Sequence, residues 1–497
     1  MKRFILFSAL FLTLSVQAQS PQRIADRLDA RQPLHSAAWG MLAVNGRGDT
    51  LAAIRPDAKL TPASNMKLIT TGTALHKLGA DFRFETEIGY TGTIADGTLD
   101  GDVYILGGAD PTLAADDSIA VETGKVFAQW KWMLVKAGVK RIRGRIIGDG
   151  RLIDGHLEDT SWGFDDMGTY YGTGGNGLAF YENTLDVAVK AGAAPGDPVI
   201  AAPVYPKTPW MLFSWHALTG PAGSGNSLFL FTTDLAPFAE LRGTFAADRK
   251  PKVENCSNKY AALTCAYYFA EYLRTTGMPV EGYADIDRHG RVRERFDVAG
   301  EPAVPREAVR VLGKTYSPTL DKIARETNHR SDNFYAETLL RMVSLRTVGS
   351  AWTDSCIVAE SAVLGELGVP PDAGLRIQDG SGLSRMNFVS PGYMVRYLRA
   401  MRKSPAFDAF LQSLPRPGAN GTLRYVMPNA PEEKRARICM KSGSMTGVLS
   451  YSGYILPSNP ASDDVITFSV FTNNSEAPVS EVRNCIMQIL SALADKN

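Results

Sequence analysis

Metal-binding and redox side chains are scarce in this chain, with six histidines and five cysteines in 497 residues. His35, His76, His156, His216, His289 and His329 form no H-E-x-x-H or other close ligand pair, which argues against a metallopeptidase. No histidine motif accompanies any cysteine, so a thiol nucleophile is disfavoured. The odd cysteine count leaves at least one unpaired. Cys256 and Cys265 stand close enough for a local disulfide, while Cys356, Cys439 and Cys485 read as buried thiols. Net charge is nearly absent as well: 53 basic against 52 acidic residues give +1, which supports neither nucleic-acid nor anionic-membrane binding. No apolar run is long enough for a transmembrane helix. There is no G-x-S-x-G elbow, no internal repeat and no low-complexity tract.

The chain does contain a patterned start. Lys2 and Arg3 precede a largely apolar run over residues 4–14, and Val16-Gln17-Ala18 offers a small-x-small cleavage site. This order predicts a signal peptide over 1–18 and a periplasmic mature protein. At 44% hydrophobic residues, that mature chain can build more than one core.

Three short motifs follow in a fixed order: Ser64-Asn65-Met66-Lys67, Ser331-Asp332-Asn333 and Lys441-Ser442-Gly443. Each is weak alone; together they are the S-x-x-K, S-D-N, K-[T/S]-G set of penicillin-binding proteins and serine β-lactamases. Chemistry sets the first spacing. A serine hydroxyl needs a base, and residues i and i+3 share a helix face, so a helix here makes Lys67 the neighbour of Ser64. Thr61 reads as the N-cap, Pro62 as the first helical position and Gly79 as the stop. Ser331 and Asn333 open an apolar helical stretch, where a polar triplet can face a cleft; a plain helix cap is the competing reading. Lys441, Ser442, Gly443 and Ser444 lead into a predicted strand. Such an edge lets a peptide add alongside, with Lys441 and Ser442 on its terminal carboxylate and the Ser444 N–H facing an oxyanion.

On these motifs the chain resembles the low-molecular-mass class C penicillin-binding proteins, the D-alanyl-D-alanine carboxypeptidase/endopeptidase family. Blocks at 101–113 and 379–391, and a weaker one at 176–183, extend the likeness over most of the mature chain. Ser442 stands where the family usually has threonine, and keeps the hydroxyl. The resemblance implies a serine D,D-peptidase acting on peptidoglycan peptides and binding β-lactams. It implies no cofactor and no metal, with Ser64, Lys67, Ser331, Asn333 and Lys441 catalytic, and Ser442, Gly443 and Ser444 substrate-binding. A serine β-lactamase is the alternative, weakened by the lack of a Glu-x-x-Leu-Asn sequence; a non-catalytic wall-binding scaffold of the same fold is another.

Ser64 and Ser331 lie 267 positions apart, whereas Ser331 and Lys441 lie only 110 apart. A long insertion must therefore separate the first two motifs. The expected fold is α+β: a serine β-lactamase/DD-peptidase-like catalytic body, an antiparallel sheet with helices, built from residues 19–83 and 309–497. A long β-rich insertion over 84–308 interrupts it. Asn45-Gly46 marks a hairpin near the start. Ile486, Ile489, Leu490 and Leu493 recur at helical spacing near the end, which predicts a helix packed on the terminal sheet rather than a membrane anchor.

Overall fold

The computed structural model describes residues 20–496, so the expected signal peptide over 1–18 lies outside the described residues. Both chain ends build one five-stranded antiparallel sheet. Its order is Thr50–Ile54, Ala38–Val44, Ile466–Asn473, Val448–Ile455 and Ile438–Met445. The hairpin at Asn45-Gly46 joins its first two strands, as the sequence predicts. Side chains alternate between the two faces of a strand, so each face of this sheet buries its own layer. One face, with Trp39, Met41, Tyr451 and Val470, packs on the helices Pro21–Asp29 and Val479–Lys496. Ile486, Ile489, Leu490 and Leu493 of the last helix are all fully buried there. Each such burial contributes roughly 1.5–3 kcal/mol, which keeps this helix on the sheet. The opposite face, with Cys439, Tyr454 and Phe471, meets the helices Met66–Leu78, Asn333–Val348 and Pro391–Met401. Among the described residues no helix is long and apolar enough to cross a membrane.

The long insertion is less purely β than its turn-rich sequence suggests. A mixed sheet runs Val292–Arg293, Val280–Ile286, Arg141–Asp149, Val103–Leu106, Glu85–Tyr90 and Arg310–Tyr316. Arg141–Asp149 lies parallel to both of its neighbours. Parallel strands need long crossovers, and the helices Thr123–Lys136 and Ala261–Thr275 belong to these connections. Trp130 and Phe269 from these helices bury against Ile88, Ile105 and Ile146 of the sheet. The strand Arg310–Tyr316 pairs with Glu85–Tyr90, so this sheet extends past the expected boundary at 308. Between Arg141–Asp149 and Ala261–Thr275 the chain forms a smaller set of strands with a separate core of Leu185, Val187, Leu230, Leu241 and Phe245.

The possible Cys256–Cys265 bridge does not form. Both thiols are unbridged and buried, Cys256 in the smaller strand core and Cys265 inside the Ala261–Thr275 helix on the mixed sheet. Two neighbours in sequence thus point into two different cores.

Candidate active site

The three motifs converge on one cleft of about 630 Å³ between the sheet edge and the helical layer. Ser64 does not sit where the sequence places it, in the first turn of a Pro62-led helix. A short 3-10 turn, Ala63–Asn65, carries it, and the α-helix begins at Met66. Thr61 provides no side-chain cap; its backbone is clasped by the Asn473 amide instead. Ala63 is held at φ 46°, in the left-handed region that costs a non-glycine residue on the order of 1–3 kcal/mol. Gly382 explains part of how this turn is pinned. A Cβ there would stand 1.9 Å from the Ala63 carbonyl oxygen, so only glycine lets the 379–387 loop press on the nucleophile turn. The helix stops at Gly79, as expected.

Lys67 is fully buried on the next turn, and its three donors are all used. Nζ donates to Ser64 Oγ at 3.0 Å, Asn333 Oδ1 at 2.6 Å and the Ser381 carbonyl at 2.7 Å. Burial lowers its pKa to about 8, while the charges of Asp379, Asp332 and Glu337 pull it back up. Lys441 is therefore not the main agent that depresses Lys67; loss of water is. Glu337 Oε1 accepts from the N–H groups of Gly380 and Ser381, and thereby fixes the carbonyl that Lys67 meets. Asp379 is buried and accepts from Trp162, Asn387 and the backbone of Gly382 and Ser384. Burial pushes Glu337 up to about 7 and raises Asp379 too.

At the second motif both sequence readings hold at once. Asp332 is the cap of the Asn333–Val348 helix, accepting from Tyr335 N at 2.9 Å. Ser331 and Asn333, on either side of it, line the cleft. Ser331 is held at φ 61°, a second strained position beside the chemistry. One Asn333 amide hydrogen donates to the Tyr171 carbonyl at 2.9 Å. This fixes the amide so that its oxygen faces Lys67.

Lys441 lies inside the edge strand Ile438–Met445 rather than ahead of a strand, and the chain turns at Thr446-Gly447 into Val448–Ile455. Its Nζ donates to Ser331 Oγ at 2.9 Å and to the Ser442 carbonyl at 2.7 Å. Burial, with the like charge of Lys67, drives its pKa well below the usual lysine value. Met440 N–H bonds outward to the Pro415 carbonyl, and the ladder to the neighbouring strand runs without a bulge. Alternation then turns the Ser442 and Ser444 N–H groups to the same outer edge. Gly443 lets this edge approach the nucleophile, since a Cβ would meet Ser64 N at 2.9 Å and Pro62 O at 2.6 Å. Ser450 and Asn65 tie the two elements together: Asn65 Nδ2 donates to Ser450 Oγ, which donates to Pro62 O, each at 2.7 Å.

Ser64, Ser331, Asn333, Ser442 and Ser444 thus line one space, while Lys67 and Lys441 lie buried behind it, hydrogen-bonded to Ser64 and Ser331, and Gly443 sits in the strand against the nucleophile turn. Motif reading missed Tyr171, Glu337 and Asp379. Asp379 opens the 379–391 block, and Glu337 follows Ser331-Asp332-Asn333 by one helical turn; for Tyr171 the sequence carries no signal.

Known proteins resemble this chain over nearly its whole length. A curated D-alanyl-D-alanine carboxypeptidase of Actinomadura sp. (strain R39) is 29% identical over 461 residues, covering 90% of this chain and 79% of the relative. Penicillin-sensitive carboxypeptidase A of Dictyostelium discoideum is 25% identical over 92% of this chain and 87% of the relative. The crystal structure of penicillin binding protein 4 of Haemophilus influenzae superposes with a TM-score of 0.77 at 22% identity, covering 95% of this chain and 98% of that one, which shows the shared fold. Residues 21–493 match the D-Ala-D-Ala carboxypeptidase 3 (S13) family, and the chain belongs to that family.

Proposed function

We propose that this serine-type D,D-peptidase cleaves D-alanyl peptides of peptidoglycan, as carboxypeptidase or endopeptidase, through an acyl-enzyme on Ser64. The observation that carries the reading is the buried Lys67 ammonium, 3.0 Å from Ser64 Oγ, with its pKa lowered to about 8. Asn333 Oδ1 and the Ser381 carbonyl are acceptors only. When Lys67 loses a proton, its two remaining hydrogens stay on them and its lone pair is left facing the Ser64 hydroxyl. Lys67 then takes the Ser64 proton as Oγ attacks the carbonyl between the two D-residues. The Ser64 and Ser444 N–H groups receive the oxyanion, worth roughly 2.7–4 kcal/mol per donor in comparable sites. Ser331 relays a proton to the leaving amine, giving up its own hydroxyl hydrogen as it takes one from the Lys441 ammonium that donates to its Oγ. Lys441 and Ser442 hold the substrate's terminal carboxylate, Gly443 gives the strand its clearance, and Asn333 orients Lys67. Water then releases the acyl group. No step calls for a metal or cofactor.

The 84–316 insertion reads as two nested bodies, the mixed sheet and the smaller strand set within it. Export to the periplasm rests on the basic, apolar, small-residue order over residues 2–18.

Intact-protein mass after incubation with benzylpenicillin tests the reading. A lasting adduct on the native chain, absent from Ser64→Ala, is the expected result. Hydrolysed penicillin without an adduct replaces it with a β-lactamase. Neither adduct nor hydrolysis leaves a scaffold.

A further inference from the structure

Beside the cleft, the smaller strand set leaves one sheet face uncovered. Its strands Leu212–Trp215, Ala236–Arg242 and Phe229–Thr233 lie side by side in that order. Leu212 is registered with Phe238, Phe231 with Glu240 and Phe229 with Arg242. Registered partners share a face, so these six side chains stand on one side. Leu230, Ala239 and Leu241 point the other way into the core. On the outer side Leu212 is 68% exposed and Phe238 44%. Phe164, from a different segment, is 64% exposed and stacks on Phe231 with ring centres 4.6 Å apart. Phe229 meets the same ring edge-on at 4.6 Å, and the Arg242 guanidinium lies 5.2 Å from its centre.

Exposed aromatic patches of this kind mark interaction surfaces, because nothing in the fold repays leaving them in water. Position selects the occupant. The segment that carries Phe164 is also a wall of the active-site cleft. Two residues before Phe164, Trp162 Nε1 donates to the buried Asp379 at 2.9 Å. Just after it, Asp166, Tyr170 and Tyr171 line the cleft. The aromatic face therefore continues from the rim of the space that receives the peptide.

We propose that this face binds the glycan strand that carries the substrate peptide, which rests on the peptidoglycan reading above. Pyranose rings present flat C–H faces that stack on aromatic rings. Glu240 and Arg242 flank the rings as an ion pair, Arg242 Nε on Glu240 Oε1 at 2.5 Å, which leaves the second Glu240 oxygen and the outer guanidinium N–H groups to meet hydroxyl and acetamido groups. The polymer is the covalent continuation of the peptide in the cleft, so one ligand spans both surfaces.

The test is co-sedimentation of the full chain with insoluble glycan stripped of its peptides, so that the cleft has nothing to hold. Native protein should pellet with it, and Phe164→Ala/Phe238→Ala should lose about tenfold or more of that binding. Benzylpenicillin acylation and hydrolysis of a soluble D-alanyl peptide should be equal in the two, which also shows that the variant folds. Release of D-alanine from intact wall should fall in the variant alone. Native protein that ignores bare glycan, or a variant that binds it equally well, overturns the proposal. So does glycan indifference with a native dimer that the variant dissolves, which would assign the face to self-association. Failure of acylation in the native chain would instead break the peptidase reading while leaving the glycan result standing.

Discussion

The two sides of the cleft each bury a lysine completely, yet they solve the problem of its charge differently. On the Ser64 side, Lys67 has the charges of Asp379, Asp332 and Glu337 acting on it, and three acceptors for its hydrogens. Its pKa settles at about 8, near where a base must switch. On the strand side, burial and the like charge of Lys67 act on Lys441, and its pKa is driven further down. The difference fits the roles proposed for them. Lys67 comes with counter-charges and a switch point suited to a base. Among the described residues no acid offsets the burial of Lys441, and the terminal carboxylate of a substrate held there, as proposed, supplies the missing counter-charge.

The comparison breaks first at the nucleophile. Ser64→Ala should abolish penicillin acylation, read as complete loss of the mass adduct. Lys67→Ala should slow acylation by roughly 10²- to 10⁴-fold, the usual contribution of a general base, measured by stopped-flow with a chromogenic β-lactam. Acylation at the native rate would remove Lys67 from the base role. On the other wall, Lys441→Ala should lower kcat/KM for a carboxylate-terminated peptide by roughly 10- to 100-fold, the worth of one charged hydrogen bond. A peptide with an amidated terminus should lose much less. Equal losses for both peptides would show that Lys441 acts on the chemistry alone and not on the carboxylate.

Much of this site was legible because nucleophilic chemistry fixes residue types at short spacings. The order of Ser64, Ser331 and Lys441 implied both the catalytic body and a long insertion, and the terminal apolar stripe at Ile486, Ile489, Leu490 and Leu493 implied its partner sheet. Other features are set by long-range packing. The Ala63 turn is packed against Gly382, over three hundred positions away, so a local Thr-Pro signal could not reveal that the helix starts at Met66. Lys441-Ser442-Gly443 reads as the approach to a strand, because glycine is a poor strand former, yet it lies inside the edge strand, where the nucleophile turn leaves room only for glycine at 443. The helices Thr123–Lys136 and Ala261–Thr275 were hidden among turn signals, although the parallel strands they join require such crossovers. Glu337 resembled any acid on an amphipathic helix until the 379–387 loop folded over it.

Glu337 offers the finest test of the contrast between the walls. Its carboxylate both holds the Gly380 and Ser381 N–H groups and raises the pKa of Lys67. Glu337→Gln keeps an acceptor oxygen for those N–H groups while removing the charge. Lys67 acts as a base only when neutral, so acylation in the native enzyme should rise with pH and level off above about 8. Removing a negative charge disfavours the ammonium, which lowers the Lys67 pKa, so the rising limb should move to lower pH. The plateau rate should change by less than about tenfold, since the base and its geometry remain. The same substitution leaves Lys441 without a direct change in partners, so KM for carboxylate-terminated peptides should hold. A limb that stays in place would show that Lys67 does not feel this carboxylate, and the counter-charge would then fall to Asp379 and Asp332. A limb that moves upward would reverse the sign of the interaction and overturn the account of why the two lysines differ.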